Sequence, residues 1–514
     1  MKYVLKGTVV TFNPKREVIR DGYLVVDGEK IIYVSSPDEE LSPDFNDLTI
    51  IETEGYIYPG LIDLHNHLPY NFLDLWPITK KFVDRYQWPR LSKYKTEISA
   101  PTKLLANSNP VELVKYAEVK ALVAGVTAID GYSKFNRTYA AWLLRNVEVE
   151  PFGKLEPKIY QSVLKIKNEE EFLTVARKMN EGNAFIYHLA EGSSEELLAE
   201  YTDLEEHGLL REKLVGIHCT ALNASNWKTL GKKGVKFVWS PLSNLLLYGK
   251  TADVVSAKNN GVIISLGSDW TPTGSKNLLW ELKVADLYNR NALGNVFTDL
   301  ELAEMVTINP ANAIGVADQI GSIKARLFAD LVIFDNLNRD PYRNLIQCSE
   351  KNLKLSVVSG RPRYGDKQIM SKLGVSKYEE IDVDSVLKGI DIIEPGIQHG
   401  DITFRQVWSR LKEALANPEN TAIKLFERSK KVILKGEQPL RLIIEGETEH
   451  EDRGLELNSA MTFESFLESN FDSNKLPSLV LDSLTMYDDE DFFSGLKANP
   501  NIPPYMNDLE KYLI

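Results

Sequence analysis

From about residue 110 onward the chain repeats one pattern, in which an amphipathic helix is followed by a glycine or turn and a short apolar strand. Helices are expected at residues 110–123, 169–180, 194–206, 223–230 and 253–260. Strands are expected at residues 126–129, 184–187, 214–217, 235–239 and 262–266. Helices that alternate with strands form parallel β–α units, and so many in series predict a closed (β/α)8 TIM-like barrel of the α/β class. An open, doubly wound sheet has the same local periodicity and is the alternative.

The segments on either side of this repeat are rich in β-strand signals. Residues 3–35 alternate apolar and polar side chains and contain turn signals at Gly22 and Gly28. A second β-rich stretch after the repeat includes residues 329–334 and 354–358. Because the two stretches flank the barrel segment, we expect them to pair into one small β-sandwich outside the barrel.

These patterns divide the chain into four parts. We expect the first part of the β-sandwich at residues 1–57, the barrel at 58–314, the second part of the sandwich at 315–369 and a C-terminal extension at 370–514. Within the extension, residues 404–416 are predicted to be helical, and residues 445–452 and 488–491 are acidic. Acidic runs are usually solvated surface, so the role of the extension stays open.

Composition limits the partners of the chain. Of its 514 residues, 43% are hydrophobic and 26% are charged, which is typical of globular proteins. The net charge of −13 argues against a nucleic-acid partner. No apolar run approaches the ~20 residues that span a bilayer, and Cys219 and Cys348 are too few for a disulfide framework or a cysteine metal cluster. We expect a cytoplasmic protein that acts on a small molecule, with a homodimer left open.

A pair of histidines is the sharpest local signal in the chain. A short apolar strand runs into His65-Asn66-His67. Because side chains alternate along a strand, His65 and His67 project to the same side and can share one cation. Neutral imidazole is the commonest biological metal ligand.

The other histidines strengthen this signal by their positions. The chain has seven histidines, and His188 and His218 also stand at the ends of predicted strands, as does Asp269. In a (β/α)8 barrel these strand ends converge on the functional face, so the five side chains are predicted to meet. The remaining three histidines are expected to face solvent: His207, His399 and His450.

With these residues in place, the sequence resembles the amidohydrolase superfamily, in the branch that contains guanine deaminase, S-adenosylhomocysteine deaminase and the triazine hydrolases. The motifs that carry the resemblance lie at residues 59–67, 188–191, 216–219, 240–245, 266–269, 307–311 and 321–333. They follow the family's order over roughly residues 1–365 and imply a TIM-like barrel with a β-sandwich built from both flanks. Two features depart from the family. Before His188 we find one clear strand, at residues 158–163, and a weak one near 146–150, and the extension has no counterpart.

The resemblance also implies roles for individual side chains. One divalent ion, zinc in preference to iron, is expected to bind four of them: His65, His67, His188 and Asp269. Such an ion lowers the pKa of a bound water toward about 7, so that hydroxide attacks the substrate. Asp269 is expected to accept the proton of this water, Glu191 to move a proton to the substrate nitrogen, and His218 to orient the hydroxide or polarise the reacting carbon.

Each catalytic role has a structural alternative. Glu191 also suits the N-terminus of the following helix, where acidic side chains are favoured. His218 also suits a packed barrel histidine whose ring is satisfied by a backbone carbonyl. For substrate contacts we expect Trp76 from the aromatic loop at residues 68–101, Trp270 beside Asp269, and Asn244 from the motif at 240–245. A loop packed down by its own aromatic side chains is the competing interpretation.

The combined signals predict a metal-dependent hydrolase that acts on carbon–nitrogen bonds other than peptide bonds. Hydrolytic deamination of a cyclic or aromatic nitrogen compound is the first hypothesis. Opening of a cyclic amide, or a dechlorinating hydrolysis, uses the same site and is the second. A non-enzymatic scaffold, with the acidic extension binding a partner, is the third, although a scaffold has no physical need for the ligand set.

Overall fold

The computed structural model describes residues 1–36, 39–131, 133–434, 439–444, 454–458, 460–471 and 476–513. These residues form a mixed α/β structure. The acidic run predicted at residues 445–452, with His450, lies outside the described residues.

Two parallel sheets correspond to the predicted barrel strands. A three-stranded sheet contains Leu61–Asp63, Val126–Ile129 and Arg145–Asn146, in that order. A five-stranded sheet has the order Ile264–Leu266, Lys236–Trp239, Leu214–His218, Ala184–Leu189 and Ile159–Ser162. The two sheets meet at an isolated parallel bridge between Asn66 and Asp269. Among the described residues these strands do not form one continuous closed barrel.

The weak part of the predicted repeat has a simple structural explanation. The strand expected near residues 146–150 is the two-residue strand Arg145–Asn146, which is too short to give a periodic signal. The clearer candidate at residues 158–163 is confirmed as the strand Ile159–Ser162. Both strands expected before His188 are therefore present.

The helices of the repeat follow the strands as predicted. The helices of the central segment are Ser92–Tyr94, Lys95–Ser99 (a π-helical turn), Ala100–Ser108, Pro110–Leu122, Glu169–Asn180, Leu198–Glu206, Ala224–Lys233, Pro241–Tyr248, Val254–Asn259, Leu278–Asn291, Asp299–Glu304 and Ile308–Ala313.

One helix–strand unit shows how the sequence sets these boundaries. The Asn223 side chain accepts hydrogen bonds from the backbone N–H groups of Ser225 and Asn226 and caps the helix Ala224–Lys233. Gly234 ends that helix with a left-handed φ of 70°. The strand Lys236–Trp239 follows and is buried at every residue, as expected when helices cover both faces of a parallel sheet.

The flanking β segments pair as predicted but form one sheet. It has nine strands in the order Glu379–Val383, Val386–Ile390, Arg361–Asp366, Leu353–Val358, Leu331–Asp335, Ile50–Pro59, Lys2–Val10, Val18–Asp27 and Lys30–Val34. Leu331–Asp335 runs antiparallel to Ile50–Pro59, which joins the two flanks. The strands are hydrogen-bonded continuously, rather than split into the two facing sheets of a sandwich. Because Ile390 pairs with Tyr364, the sheet extends past the boundary predicted at residue 369.

The C-terminal extension packs on the rest of the molecule. Its helices are Phe404–Ala416, Pro418–Leu434, Phe463–Phe471 and Phe492–Ala498, with 3-10 turns at Met486–Asp488 and Pro504–Tyr512. The strand Leu442–Ile444 pairs with Ser133–Phe135, which follows a barrel strand. Val407, Leu411 and Phe493 belong to the same apolar core as Trp280 of the barrel segment. The extension is therefore continuous with the main core rather than a separate appendage.

Within the part of the chain that the structure describes, helices are either too short or too polar to cross a membrane.

Candidate metal centre

The histidines and the aspartate predicted to meet do lie together. The His65 ring centroid is 4.9, 4.7 and 4.9 Å from those of His67, His188 and His218. Asp269 Oδ1 lies 3.3 Å from His65 Nε2 and 3.6 Å from His67 Nε2. No member of the group is more than 6% exposed. We call these five residues the ligand cluster.

The backbone turns sharply where the strands deliver these side chains. His218 has a φ of 62° and Asp269 a φ of 59°, although neither is a glycine. Such left-handed conformations are uncommon outside glycine and often mark functional sites. The Asp269 N–H donates to the His65 carbonyl at 2.8 Å, so the turn is locked to the strand end that carries the histidine pair.

Burial keeps three of the imidazoles neutral, those of His67, His188 and His218. Burial lowers the pKa of His188 and His218 well below the usual value, and it lowers the pKa of His67 to about 3. Burial would raise the pKa of Asp269, but the neighbouring His65 and His218 lower it below its usual range. Neutral imidazoles around one carboxylate are the protonation states that metal coordination requires.

One buried atom tests directly whether a cation fits. Among the described residues, His65 Nε2 is fully buried and makes no hydrogen bond of good geometry, although Asp269 Oδ1 lies 3.3 Å away. Buried polar atoms are almost always satisfied, so a nitrogen of this kind fits a metal ligand. The ligand atoms of His65, His67 and His188 lie within 4.8 Å of one another, and the same holds for the set of His65, His218 and Asp269.

Glu191 faces the ligand cluster. Its Oε2 lies 3.0 Å from His188 Nδ1 and 3.5 Å from His218 Nε2, while Oε1 accepts a 2.7 Å hydrogen bond from the Tyr248 hydroxyl. A carboxylate at Nδ1 fixes the ring and leaves Nε2 for a cation. Burial raises the pKa of Glu191 to about 7. The helix-capping alternative is wrong, because Ser194 caps the turn that follows.

A hydrogen-bond relay sets the tautomer of His218. Trp239 Nε1 donates to Thr251 Oγ1 at 2.6 Å, Thr251 Oγ1 donates to Asn244 Oδ1 at 3.1 Å, and Asn244 Nδ2 donates to His218 Nδ1 at 2.9 Å. Since Nδ1 accepts, the proton of the neutral ring lies on Nε2, the atom that faces Glu191. A side-chain amide therefore satisfies the ring, and not the backbone carbonyl of the packed-histidine alternative.

The three residues expected to contact substrate have different positions. Asn244 is fully buried, and the two ends of its amide hydrogen-bond to His218 and Thr251; its substrate contact stays a prediction. The Trp270 ring lies 6.0 Å from that of His67 and stands beside the ligand cluster. Trp76 lies farther out, packs on Tyr94 at 6.3 Å and donates to Glu97 at 2.9 Å.

The space among the ligands is small. A cavity of about 10 Å³ is lined by residues that include His65, His67 and His188, which is room for about one water molecule. Within residues 68–101 the side chains of Tyr70, Phe72 and Trp88 are buried, and Arg85 is buried with Glu200 3.5 Å away. These aromatic side chains are packed down, as the competing interpretation of the loop expects.

The sequence analysis did not single out Asp63, whose carboxylate holds together the backbone segments that carry the ligands. Its carboxylate accepts hydrogen bonds from the N–H groups of His65 at 3.3 Å and Ser268 at 3.1 Å, and from Asn66 Nδ2 at 3.3 Å. It thereby ties the two segments that carry His65, His67 and Asp269. Burial raises its pKa to about 6. The available signal was an acidic residue inside an otherwise apolar, buried strand.

Two of the histidines expected to face solvent, His207 and His399, lie within the described residues. His207 Nε2 lies 3.0 Å from Glu169, and its ring stacks on Phe172 at 3.8 Å. His399 is exposed. Neither belongs to the ligand cluster, as predicted.

Parallel strands whose ends carry buried histidines and an aspartate define a class, the metal-dependent hydrolases built on β–α units. Within this class, the sequence profile of the amidohydrolase family matches residues 163–363. The resemblance to the amidohydrolase superfamily is confirmed, and with it the expectation of a hydrolase that acts on carbon–nitrogen bonds other than peptide bonds.

Individual relatives agree with this assignment. The 5'-deoxyadenosine deaminase of Methanopyrus kandleri is 24% identical over 412 residues, covering 70% of this chain and 92% of that protein. An adenosine deaminase structure from Xanthomonas campestris with bound zinc has a TM-score of 0.55 and 17% identity, covering 70% of this chain and 92% of its own. The zinc complex of an atrazine chlorohydrolase mutant from Arthrobacter aurescens has a TM-score of 0.57 and 18% identity, covering 73% and 99%. At these identities the two structures establish similarity of fold.

Proposed function

We propose that this protein deaminates a cyclic or aromatic nitrogen compound by metal-dependent hydrolysis. The observation that carries the proposal is the ligand cluster, in which three imidazoles and Asp269 surround a fully buried His65 Nε2 that makes no hydrogen bond of good geometry among the described residues. Glu191 beside this cluster adds a proton carrier. A packed core has no need for such a set, whereas a bound cation satisfies it.

The proposal assigns the ion to four side chains: His65, His67, His188 and Asp269. Zinc is the preferred ion, with iron as the alternative, because nitrogen and oxygen ligands in a buried site suit zinc and the cited relatives were solved with zinc. When bound, the ion supplies the Lewis acidity that makes a water molecule nucleophilic near neutral pH.

The protein's own residues then manage protons and orientation. Asp269 accepts the proton that the water molecule loses. The His218 Nε2–H donates a hydrogen bond to the oxygen developing at the attacked carbon, because the Asn244 relay holds the proton on that nitrogen. Glu191 delivers a proton to the substrate nitrogen, so that the carbon–nitrogen bond breaks and ammonia departs. A pKa of about 7 suits a group that both takes up and releases a proton near neutral pH.

We also infer the architecture around this centre. The three- and five-stranded parallel sheets together make an irregular (β/α)8 barrel within residues 58–314. The nine-stranded sheet, from residues 1–57 and 315–369 together with the strands up to Ile390, is the flanking β domain. The C-terminal extension is the remaining part.

The substrate proposal follows the relatives and the aromatic surroundings. Trp270 beside His67 suits a planar ring, and the relatives are named for adenosine-derived substrates. Because the cavity holds about one water molecule, a ring-sized substrate requires the chain around it to move, and we assign that movement to the loop at residues 68–101. Such loop motion is common in enzymes that close over their substrates.

The test is a substrate panel with zinc-loaded protein. Adenosine derivatives, guanine, pterins and triazines are incubated with the enzyme, and both ammonia and product mass are measured. Deamination releases ammonia and exchanges an amino group for oxygen. Addition of water without loss of ammonia favours ring opening instead, and silence across the panel with zinc bound contradicts a deaminase.

A further inference from the structure

A second buried cluster of charges joins the C-terminal extension to the barrel segment. Asp482 of the extension contacts Lys120 through Oδ2, and its Oδ1 lies 2.5 Å from Lys276 Nζ. Lys276 also contacts Asp489. Asp482 is only 1% exposed, and a third carboxyl group, that of Asp74, also hydrogen-bonds to it. We call the two lysines, Asp482 and Asp489 the ion-pair cluster.

One lysine contacts the loop that follows His67, and the other lies on the loop that follows Asp269. Lys120 is on the helix Pro110–Leu122, and its Nζ donates to the Asn71 carbonyl at 3.2 Å. Lys276 lies on the loop that follows Asp269. The Asp482 N–H donates to the Phe72 carbonyl at 2.9 Å. Asp482 thus contacts both the loop after His67 and the loop after Asp269.

Asn71 connects these contacts to the ligand cluster by hydrogen bonds. Its Nδ2 donates to Asn66 Oδ1 at 2.7 Å, and its Oδ1 accepts from the Thr271 N–H at 3.2 Å. Asn66 stands between His65 and His67, and its Nδ2 donates to Ser268 Oγ at 2.9 Å. A continuous set of buried hydrogen bonds therefore runs from the extension to both ligand-bearing segments.

The chemistry of the cluster favours a geometric role over a stabilising one. Removing charges from water costs free energy that their mutual attraction recovers only with good geometry, so apolar side chains of similar size often stabilise a core as well. What an ion pair adds is a fixed arrangement of the elements it joins. Here the joined elements include the loops that follow His67 and Asp269.

From this connectivity we propose that Asp482 is a positioning residue of the metal centre, which makes the C-terminal extension a working part of the active site. The inference rests on the proposed metal centre and assigns it a support that is distant in sequence. Partners that orient metal ligands typically change metal affinity by about 10–100-fold when they are removed.

The experiment compares Asp482→Asn with Asp286→Asn, a matched loss of one buried charge. Asp286 is also fully buried between barrel and extension, with Arg343 Nη1 2.8 Å away and the Tyr512 hydroxyl donating to it at 2.5 Å. The probe is Co²⁺ alone, added to metal-free protein. Affinity comes from competition with a chelator, coordination geometry from the visible Co²⁺ spectrum, and thermal unfolding reports stability.

We expect Asp482→Asn to bind Co²⁺ about 10–100-fold more weakly and with an altered spectrum. Asp286→Asn should lose stability yet keep the wild-type affinity and spectrum. Wild-type Co²⁺ binding in folded Asp482→Asn overturns the inference, and so does an equal loss of affinity in Asp286→Asn.

Asn71→Ala serves if Asp482→Asn does not fold, because it leaves the ion-pair cluster intact and removes the Asn71 side-chain hydrogen bonds to Asn66 and Thr271. It should reproduce the weaker Co²⁺ binding, and unchanged binding overturns the inference. A wild-type protein that binds no Co²⁺ instead contradicts the proposed metal centre itself.

Discussion

The ligand cluster and the ion-pair cluster are both groups of buried polar side chains, and they differ in how their atoms are satisfied. In the ion-pair cluster, Lys120 and Lys276 contact carboxylates directly. In the ligand cluster, His65 Nε2 is buried and makes no hydrogen bond of good geometry among the described residues, and burial keeps His188 and His218 neutral by lowering their pKa values.

This difference separates two uses of buried polarity. Groups that satisfy one another hold parts of the chain in place, because breaking any one contact leaves a buried charge unpaired. Groups that converge without satisfying one another require something else to complete them, and a divalent cation completes imidazole nitrogens and a carboxylate. The two clusters lie in one molecule, so variants of each can be compared directly.

The largest effect is expected from His67→Ala, which removes one member of the ligand cluster. Zinc content should fall from about one equivalent to background, and hydrolytic activity should fall with it. Zinc at a hundredfold excess over its dissociation constant stabilises the wild type by about 2.7 kcal/mol, and the variant should lose this increment. Metal analysis and urea unfolding with and without zinc check both points. If His67→Ala keeps the zinc-dependent stability, the assignment of His67 as a metal ligand is contradicted.

Glu191→Gln should separate proton transfer from metal binding. Its kcat should fall by about 10²–10⁴-fold, the usual contribution of a general acid–base group, while zinc content stays near wild type. Steady-state kinetics on the substrate found by the panel give the answer. Glu169→Gln, at a carboxylate that is 70% exposed, is the matched control and should behave as wild type. A Glu191→Gln protein with unchanged kcat contradicts the role.

Asn244→Leu should show whether Asn244 affects the reaction by orienting His218. Without the Asn244 donor the His218 proton is no longer held on Nε2, so kcat should fall roughly 10–100-fold with zinc content unchanged. Ser243→Ala, one residue away on the same helix, is the control. Equal kcat values for the two variants would contradict the proposal that Asn244 orients His218.

The smallest effect is expected at His207, a histidine outside both clusters. A hydrogen bond to the Asp203 carbonyl and the Glu169 carboxylate raise its pKa above 6.5. Its small contribution to folding should therefore be complete below pH 6.5 and disappear as the pH rises through the raised value. His207→Gln should lose that pH dependence and keep its zinc. The measurement is urea unfolding at pH 5.5 and 8, and a loss of zinc would break the distinction among the histidines.

The ligand cluster could be predicted from sequence because its signals are local. His65 and His67 stand two residues apart just past a short apolar strand, and the glycine-punctuated repeat places His188, His218 and Asp269 at strand ends. Asn244 shows the limit of that approach, since its motif marks the site but not the direction of its side chain. The structure places the amide against His218, a contact that the sequence did not predict.

The ion-pair cluster could not be predicted because its contacts are long-range. Asp482 and Lys120 are 362 positions apart, and neither has a periodic or motif signal that links them. The strands beyond residue 369 escaped notice for a related reason. Val386–Ile390 joins the sheet by pairing with Arg361–Asp366, and residues 386–390 carry no strong alternation of their own.

Anomalous X-ray diffraction at the zinc edge, from crystals of zinc-loaded protein, tests the central claim most directly. We predict one strong peak within the ligand cluster, about 2.0–2.1 Å from nitrogens of His65, His67 and His188 and about 2.0–2.2 Å from an Asp269 oxygen. Zinc found only at other positions, with the cluster lacking anomalous density, would contradict the metal centre and the hydrolytic function built on it.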